Sequence, residues 1–375
     1  MYQMPNSSSI SEFLLLALAD TRQLQLLHFW LLLGIYLAAL LGNGLISTAV
    51  ACDHRLHTPM YFFLLNLALL DLACISTTLP KAMANALWHT RAISYAGCAA
   101  QLFFFVFFLS AEYSLLTIMS YDRYVAICKP LHYGTLLGSR ACATMAAAAW
   151  GTGVLYSLLH TANTFSLPLC QGNAVDQFFC EIPQILKLSC SQSYLKEISL
   201  LVFSISLASG CFVFILFSYL QVFRAVLRMP SEQGRHKAFS ITATFAYLKE
   251  TGFIVLSVLA IFGCFAFILF SYVQIFRAVL KMPSEQGRHK AFSMCLPHLV
   301  VVSLFVITDF LAYLKPHSLV SPSLNLVVSF LYSVVPSTLN PLIYSMRNQE
   351  LKDAVRKIMS WIRFSSNKLL ICLYK

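Results

Sequence analysis

The chain has 375 residues, of which 58% are hydrophobic and only 11% charged, with a net charge of +11. So few charges cannot cover the surface of a soluble domain of this length, which excludes a soluble globular enzyme. The basic residues lie mainly in short segments between apolar runs, the placement membrane topology demands, so nucleic acid is not the expected partner.

The N-terminus has no basic leader, and Phe13–Ala19 is ended by Asp20 and Arg22, too short to span, so no cleavable signal peptide is expected. Asn6-Ser7-Ser8 is a glycosylation sequon in keeping with an outside N-terminus. Apolar runs near the ~20 residues needed to cross hydrocarbon then recur. They are Leu26–Val50, Met60–Leu79, Ala99–Tyr121, Cys142–His160, Leu195–Val222, Phe253–Val273, Ala291–Tyr313 and Leu324–Tyr344.

Basic loops follow the first, third and fifth runs: Asp53–His57, then Asp122–Tyr133 with Arg140, then Arg224, Arg228, Arg235 and Lys237. Placing these in the cytoplasm satisfies the positive-inside rule and puts the N-terminus outside. After the last run, Leu351, Ala354, Val355, Ile358, Met359 and Ile362 fall at helical spacing, with Lys352, Arg356, Lys357 and Arg363 largely around the other face. This predicts an amphipathic helix on the anionic cytoplasmic leaflet, with membrane lipids as partners. The expected organisation is an extracellular N-terminus over 1–25, a helix bundle over 26–346 and a cytoplasmic tail over 347–375. No HExxH, P-loop or Gly-rich nucleotide motif is present, and no catalytic set is expected.

Five stretches occur in order: "LHTPMYFFLLNLALLDL" (Leu56–Leu72), "MSYDRYVAICKPLHY" (Met119–Tyr133), "SY" (Ser218–Tyr219), "KAFSMCLPHLVVV" (Lys290–Val302) and "LNPLIYSMRN" (Leu339–Asn348). Together they resemble the odorant receptors, seven-helix G-protein-coupled receptors of the rhodopsin-like class. The resemblance implies an all-α membrane protein with a seven-transmembrane helix bundle at the plasma membrane. It also implies a small volatile or lipophilic ligand and activation of a heterotrimeric G protein, stimulatory by analogy.

By the same resemblance Asp122, Arg123, Tyr124, Tyr219, Asn340, Pro341 and Tyr344 are switch residues. Arg123 is restrained by Asp122 at rest, since a waiting bidentate donor needs a carboxylate beside it. Pro341 removes a helical hydrogen bond and kinks the last helix. Two acids, Asp71 and Glu112, lie inside the bilayer, where each costs about 2.5–3.5 kcal/mol and so faces the bundle interior. Glu112 lies about 15 Å deeper than Asp122 at helical rise, near the level of Asp71. The resemblance makes Asp71, Glu112, Asn43 and Asn340 a site for a sodium ion that stabilises the resting state. The alternative is a protonated acid hydrogen-bonded to a neighbouring helix. No other cofactor is expected.

Cys98, Cys170, Cys180 and Cys190 all fall on the outer side, where disulfides persist, and four cysteines allow three pairings. The resemblance implies Cys98–Cys180 and Cys170–Cys190. It also places a ligand pocket in the outer half of the bundle, at Phe105, Val106, Leu109 and Ser110 on the third helix. Ser204 and Leu207 join it from the fifth, and Val306 and Tyr313 from the sixth. The family commonly has Tyr where this chain has Val306. The Phe103–Phe108 run also suits simple helix packing.

One feature departs from the family. "RMPSEQGRHKAFS" ends at Ser240 and "KMPSEQGRHKAFS" at Ser293, an offset of 53 residues that extends back to "YLKE" at Tyr194 and Tyr247. The segments 194–240 and 247–293 therefore duplicate a whole fifth helix and its basic inner loop, adding an extra apolar helix. Only about 33 residues, Ile241–Val273, separate the first basic loop from the inner end of the second copy, whereas two crossings need about 40. The favoured outcome keeps the second copy unspanned at the inner face. The others displace the first copy, or let eight helices cross and produce a non-signalling product. A transporter would show related halves with paired broken helices, whereas this repeat is local.

Overall fold

A computed structural model describes residues 11–19, 21–170, 172–189, 298, 300–304, 322–345 and 350–361, together with 210, 214, 215, 218 and 221. Apart from those five residues, the expected span Leu195–Val222 and the first duplicated segment lie outside the described residues, as do all of Phe253–Val273, all of the second duplicated segment and most of Ala291–Tyr313.

In chain order the elements are β1 (Glu12–Leu15), α1 (Arg22–Cys52), α2 (Pro59–Trp88), β2 (Ala92–Ser94), α3 (Tyr95–Cys128), α4 (Tyr133–Leu136), α5 (Ser139–Phe165), β3 (Ala174–Val175), α6 (Ile182–Lys187) and α7 (Pro322–Ser345). A further helix, α8, covers 350–361. Four of the described helices, α1, α2, α3 and α5, are long and apolar enough to cross a membrane. Their outer faces carry exposed apolar side chains, among them Leu27, Leu31 and Leu41 of α1 and Leu155, Leu158 and Leu159 of α5. In water these would form a large liability; against lipid they need no partner.

The helices match the expected runs but extend beyond them. α1 begins at Arg22 rather than Leu26, because Arg22 reaches the end of α2: Nη1 and Nη2 donate to the Ala86 and Leu87 carbonyls at 3.0 and 2.7 Å. α2 runs past Leu79 to Trp88 with Pro80 in its interior, since neighbouring helices can re-satisfy the backbone a proline frees. Beside that break, Gln101 Nε2 of α3 donates to the Thr77 carbonyl at 3.0 Å.

α2 is the hub, packing against α1, α3 and α7, while α3 packs against α5. The α3–α5 seam closes at Gly153, where a Cβ would lie 3.0 Å from both the Phe107 carbonyl and the Ala111 Cβ. At the Asp122 end, Leu351 and Ala354 of α8 are buried in the same core as Tyr61, Leu64 and Val125. Tyr61 also donates to Glu350 Oε2 at 3.0 Å. Met359 and Trp361 are exposed, and Ile362 and Arg363 lie outside the described residues.

The opposite end carries a small sheet of order β2-β1-β3. β1 pairs antiparallel with β2, Phe13 opposite Ile93, and parallel with β3, Leu14 opposite Ala174. Phe13 and Leu15 are fully buried with Cys98, Leu102, Val175 and Cys180. The N-terminal segment is thus part of the folded cap.

Candidate functional site

Three groups of residues hold chemistry, one at mid-bundle and one at each end. At mid-bundle, Asp71 of α2, Glu112 of α3 and Asn340 of α7 meet, each 1% exposed or less. Asn340 Nδ2 lies 3.1 Å from Asp71 Oδ1, Asp71 Oδ2 and Glu112 Oε1. Ser337 and Glu112 also hydrogen-bond the Asp71 carboxyl group. Two carboxylates this close and this buried need a proton or a cation between them. Asn340 Oδ1 is buried without a hydrogen-bond partner. The donors are hard oxygens, the set that suits alkali or alkaline-earth cations rather than soft metals.

Asn43 has a different task. Its Nδ2 donates to the Ser337 carbonyl at 2.8 Å and to its own helix at Ala39. Ser337 lies four residues before Pro341, so its carbonyl is the one that Pro341, lacking an N–H, leaves without a helical donor. Asn43 supplies that donor from α1. Gly42 beside it lets the helices touch, since a Cβ there would come within 3.0 Å of the Pro341 Cβ.

At the second site, Asp122 and Arg123 are 1% and 8% exposed. Arg123 Nε lies 3.7 Å from Asp122 Oδ2, long for a charge-assisted hydrogen bond. Tyr133, carried back by the turn at Pro130–His132, donates its hydroxyl to Asp122 Oδ1 at 2.8 Å. Burial, then the Asp122 charge, pushes the Tyr133 phenol up from its ordinary value, so it remains a donor at neutral pH. Tyr124 lies under the Lys129 ammonium, 5.9 Å from its ring centre. His298 Nε2 meets the Leu116 carbonyl at 3.0 Å, linking the sixth-span segment to α3. Tyr133 closes the stretch Met119–Tyr133, and its spacing from Asp122 gives no sign that the two meet. Tyr219 and the Tyr344 side chain lie outside the described residues.

At the third site, a disulfide joins Cys98 at the start of α3 to Cys180. Cys170 is disulfide-bonded too; Cys190, Asn6, Ser204, Leu207, Val306 and Tyr313 lie outside the described residues. Phe105 points inward, its ring centre 5.1 Å from Phe179 and 6.1 Å from Tyr332 of α7. Leu109 packs between the two larger clusters, and Val106 packs toward the disulfide. The Ser110 hydroxyl donates to the Val106 carbonyl of its own helix at 2.7 Å. Phe107, by contrast, faces Trp150 of α5. The Phe-rich run therefore serves both roles, with Phe105 inside and Phe107 in helix packing. Two glutamines, not singled out in the sequence, hold the loop down. Gln101 Oε1 accepts from the Cys180 amide at 2.9 Å, and Gln177 Nε2 donates to Ser329 Oγ of α7.

Residues 42–264 match the 7 transmembrane receptors of the rhodopsin family, and residues 250–361 match the olfactory receptors. The chain is 40% identical to human olfactory receptor 14C36 over 364 residues, covering 97% of this chain and all of that protein. It is 41% identical to human olfactory receptor 14A16 over 352 residues, 94% of this chain and 96% of that one. The chain belongs to the olfactory receptors. Gorilla olfactory receptor 1G1 is similar as well, 38% identical over 358 residues, or 96% and 97% of the two chains. As an olfactory receptor it is a multi-pass membrane protein of the seven-helix class and not an enzyme.

Proposed function

We propose that this olfactory receptor binds a small volatile or lipophilic molecule in the disulfide-end half of its bundle and activates a stimulatory heterotrimeric G protein through the Asp122 end. The observation that carries the reading is Arg123, a cation buried in the bundle with a carboxylate and a phenol arranged around it. Burying such a charge is costly unless it has a task and partners. Ligand binding can move the resting-to-active equilibrium only by the ligand's preference for the active state.

In this reading the disulfide end and N-terminus are extracellular and the tail is cytoplasmic. Asn6 is glycosylated, and Cys170 pairs with Cys190. Phe105 and Leu109, with Phe179 and Tyr332, form one wall of the ligand site. Val106, Ser110, Ser204, Leu207, Val306 and Tyr313 complete it. Asp71, Glu112 and Asn340 hold a sodium ion in the resting state, with Asn43 bracing the helix that carries Asn340. The cation would balance the paired carboxylates and give the buried Asn340 Oδ1 a positive partner. The second copy of the fifth helix stays unspanned at the inner face.

Ligand-dependent guanine-nucleotide exchange on a stimulatory heterotrimer, measured with the receptor in lipid nanodiscs, tests the function. A panel of small alcohols, aldehydes, acids and esters supplies the ligands. At least one should accelerate exchange, and Arg123→Ala should abolish the gain. A response seen only after deleting 241–293, one repeat period, would show that the full chain is a non-signalling product.

A further inference from the structure

We infer that the cleft between the disulfide-end tips of α1 and α2 binds the phosphate group of a membrane phospholipid, with Arg22 and His89 as its donors. The cleft has a volume of about 440 Å³ and is lined by Arg22, Gln25, Leu87, Trp88 and His89. The inference rests only on α1 and α2 spanning the membrane, and neither an odorant nor a G protein enters it.

Each donor is held in place by a neighbouring group. α2 ends at Trp88, and the chain leaves it through His89 in the left-handed region, at φ 55°. That turn sets the imidazole against Gln25, which is 4% exposed. Gln25 Nε2 donates to the Ala19 carbonyl at 3.0 Å and lies 2.8 Å from His89 Nδ1, with its Oε1 at 3.1 Å. Oriented by Ala19, the amide donates to Nδ1, so a neutral His89 carries its proton on Nε2 and offers it to the cleft. Arg22 spends two of its five N–H groups on the Ala86 and Leu87 carbonyls. Its charge thereby offsets the negative end of the α2 dipole, which would otherwise repel an anion. Among the described residues no carboxylate pairs with Arg22 or lines the cleft; Asp20 lies outside them.

The surroundings select a lipid over a soluble anion. Trp88 is 69% exposed, and an indole at the end of a membrane helix belongs at headgroup level. On the face of α1 below Arg22 stand Leu26, Phe29 and Leu33, at helical spacing and half-buried. They give acyl chains an apolar path from the cleft into the hydrocarbon. A free phosphate gains nothing from that path.

The test uses the purified full-length receptor in detergent and a phosphatidylcholine carrying a diazirine next to its glycerol, with labelled peptides mapped by mass spectrometry. Labelling is expected on the peptides that contain Arg22 and Trp88. A diacylglycerol with the same diazirine and no phosphate should label them about threefold less, the order for an exposed charged contact. Arg22→Gln and His89→Asn should each lower the phosphatidylcholine signal to a similar degree. Asparagine tolerates the left-handed backbone, so His89→Asn decides the matter should thermal unfolding show that Arg22→Gln is not folded.

Equal labelling by the two lipids would overturn the inference, as would equal labelling of wild type and His89→Asn. Loss of the signal on adding millimolar inorganic phosphate or phosphocholine would also overturn it, marking the cleft as a site for a soluble phosphate. A receptor that never exchanges nucleotide would sink the receptor reading and leave this result intact.

Discussion

Asn43 on α1 donates a 2.8 Å hydrogen bond to the Ser337 carbonyl of α7, the acceptor that Pro341 leaves without a helical donor. The carbonyl freed by the proline of the last helix is thus satisfied by a different helix. Asn43→Leu should leave that buried carbonyl unsatisfied, at a cost of about 1–3 kcal/mol. The expected result is a lower apparent Tm of the purified receptor and reduced surface delivery. An unchanged Tm would mean that Ser337 has another donor.

Glycine positions on α5 should separate sharply. Gly153 abuts the Phe107 backbone carbonyl, which cannot yield, whereas nothing lies within 4 Å of a Cβ at Gly151. Gly153→Val should part α3 from α5 and cost about 1–3 kcal/mol. Gly151→Ala should be silent. Surface staining and thermal unfolding of both variants check this pair.

The Cys98–Cys180 bond closes a stretch of 82 residues. Cys180→Ser should cost about 2–5 kcal/mol and release the segment that Gln101 pins. Gln101→Leu should loosen the same segment while leaving the disulfide intact. Accessibility of the loop to limited proteolysis distinguishes the two, with the larger gain expected for Cys180→Ser.

If a sodium ion occupies the carboxylate pair, the apparent Tm should be higher in sodium chloride than in choline chloride at equal ionic strength. Asp71→Asn and Glu112→Gln should each erase the difference. The same Tm in both salts for the wild type would favour a shared proton instead.

Much of this arrangement was legible in the sequence. The four described spans announced themselves by apolar length, and the Asp71–Glu112 meeting followed from two costly charges at one depth. What escaped was non-local. "EFLL" shows no sign of being a strand, because its partners stand at Ala92–Ser94 and Ala174–Val175. Asn43 was expected among the ion-site residues, yet its hydrogen bonds go to the backbone of α7 and α1, a choice set by helix contact rather than residue type. α2 continues through Pro80 to Trp88, and the Gln101 amide that meets the Thr77 carbonyl nearby comes from α3; no pattern along one helix encodes its neighbour. The partner of Tyr133 was hidden for the same reason, since a turn and not a period brings it back to Asp122.

Every functional proposal requires the Asp122 end to face the cytoplasm despite the duplicated helix. The most direct measurement tags both ends of the chain, at Met1 and Lys375, and stains cells before and after permeabilisation. The N-terminal tag is expected on intact cells and the C-terminal tag only after permeabilisation, which means an odd number of crossings with one copy of the fifth helix held out. Both tags visible on intact cells would mean an even number and would contradict the receptor topology.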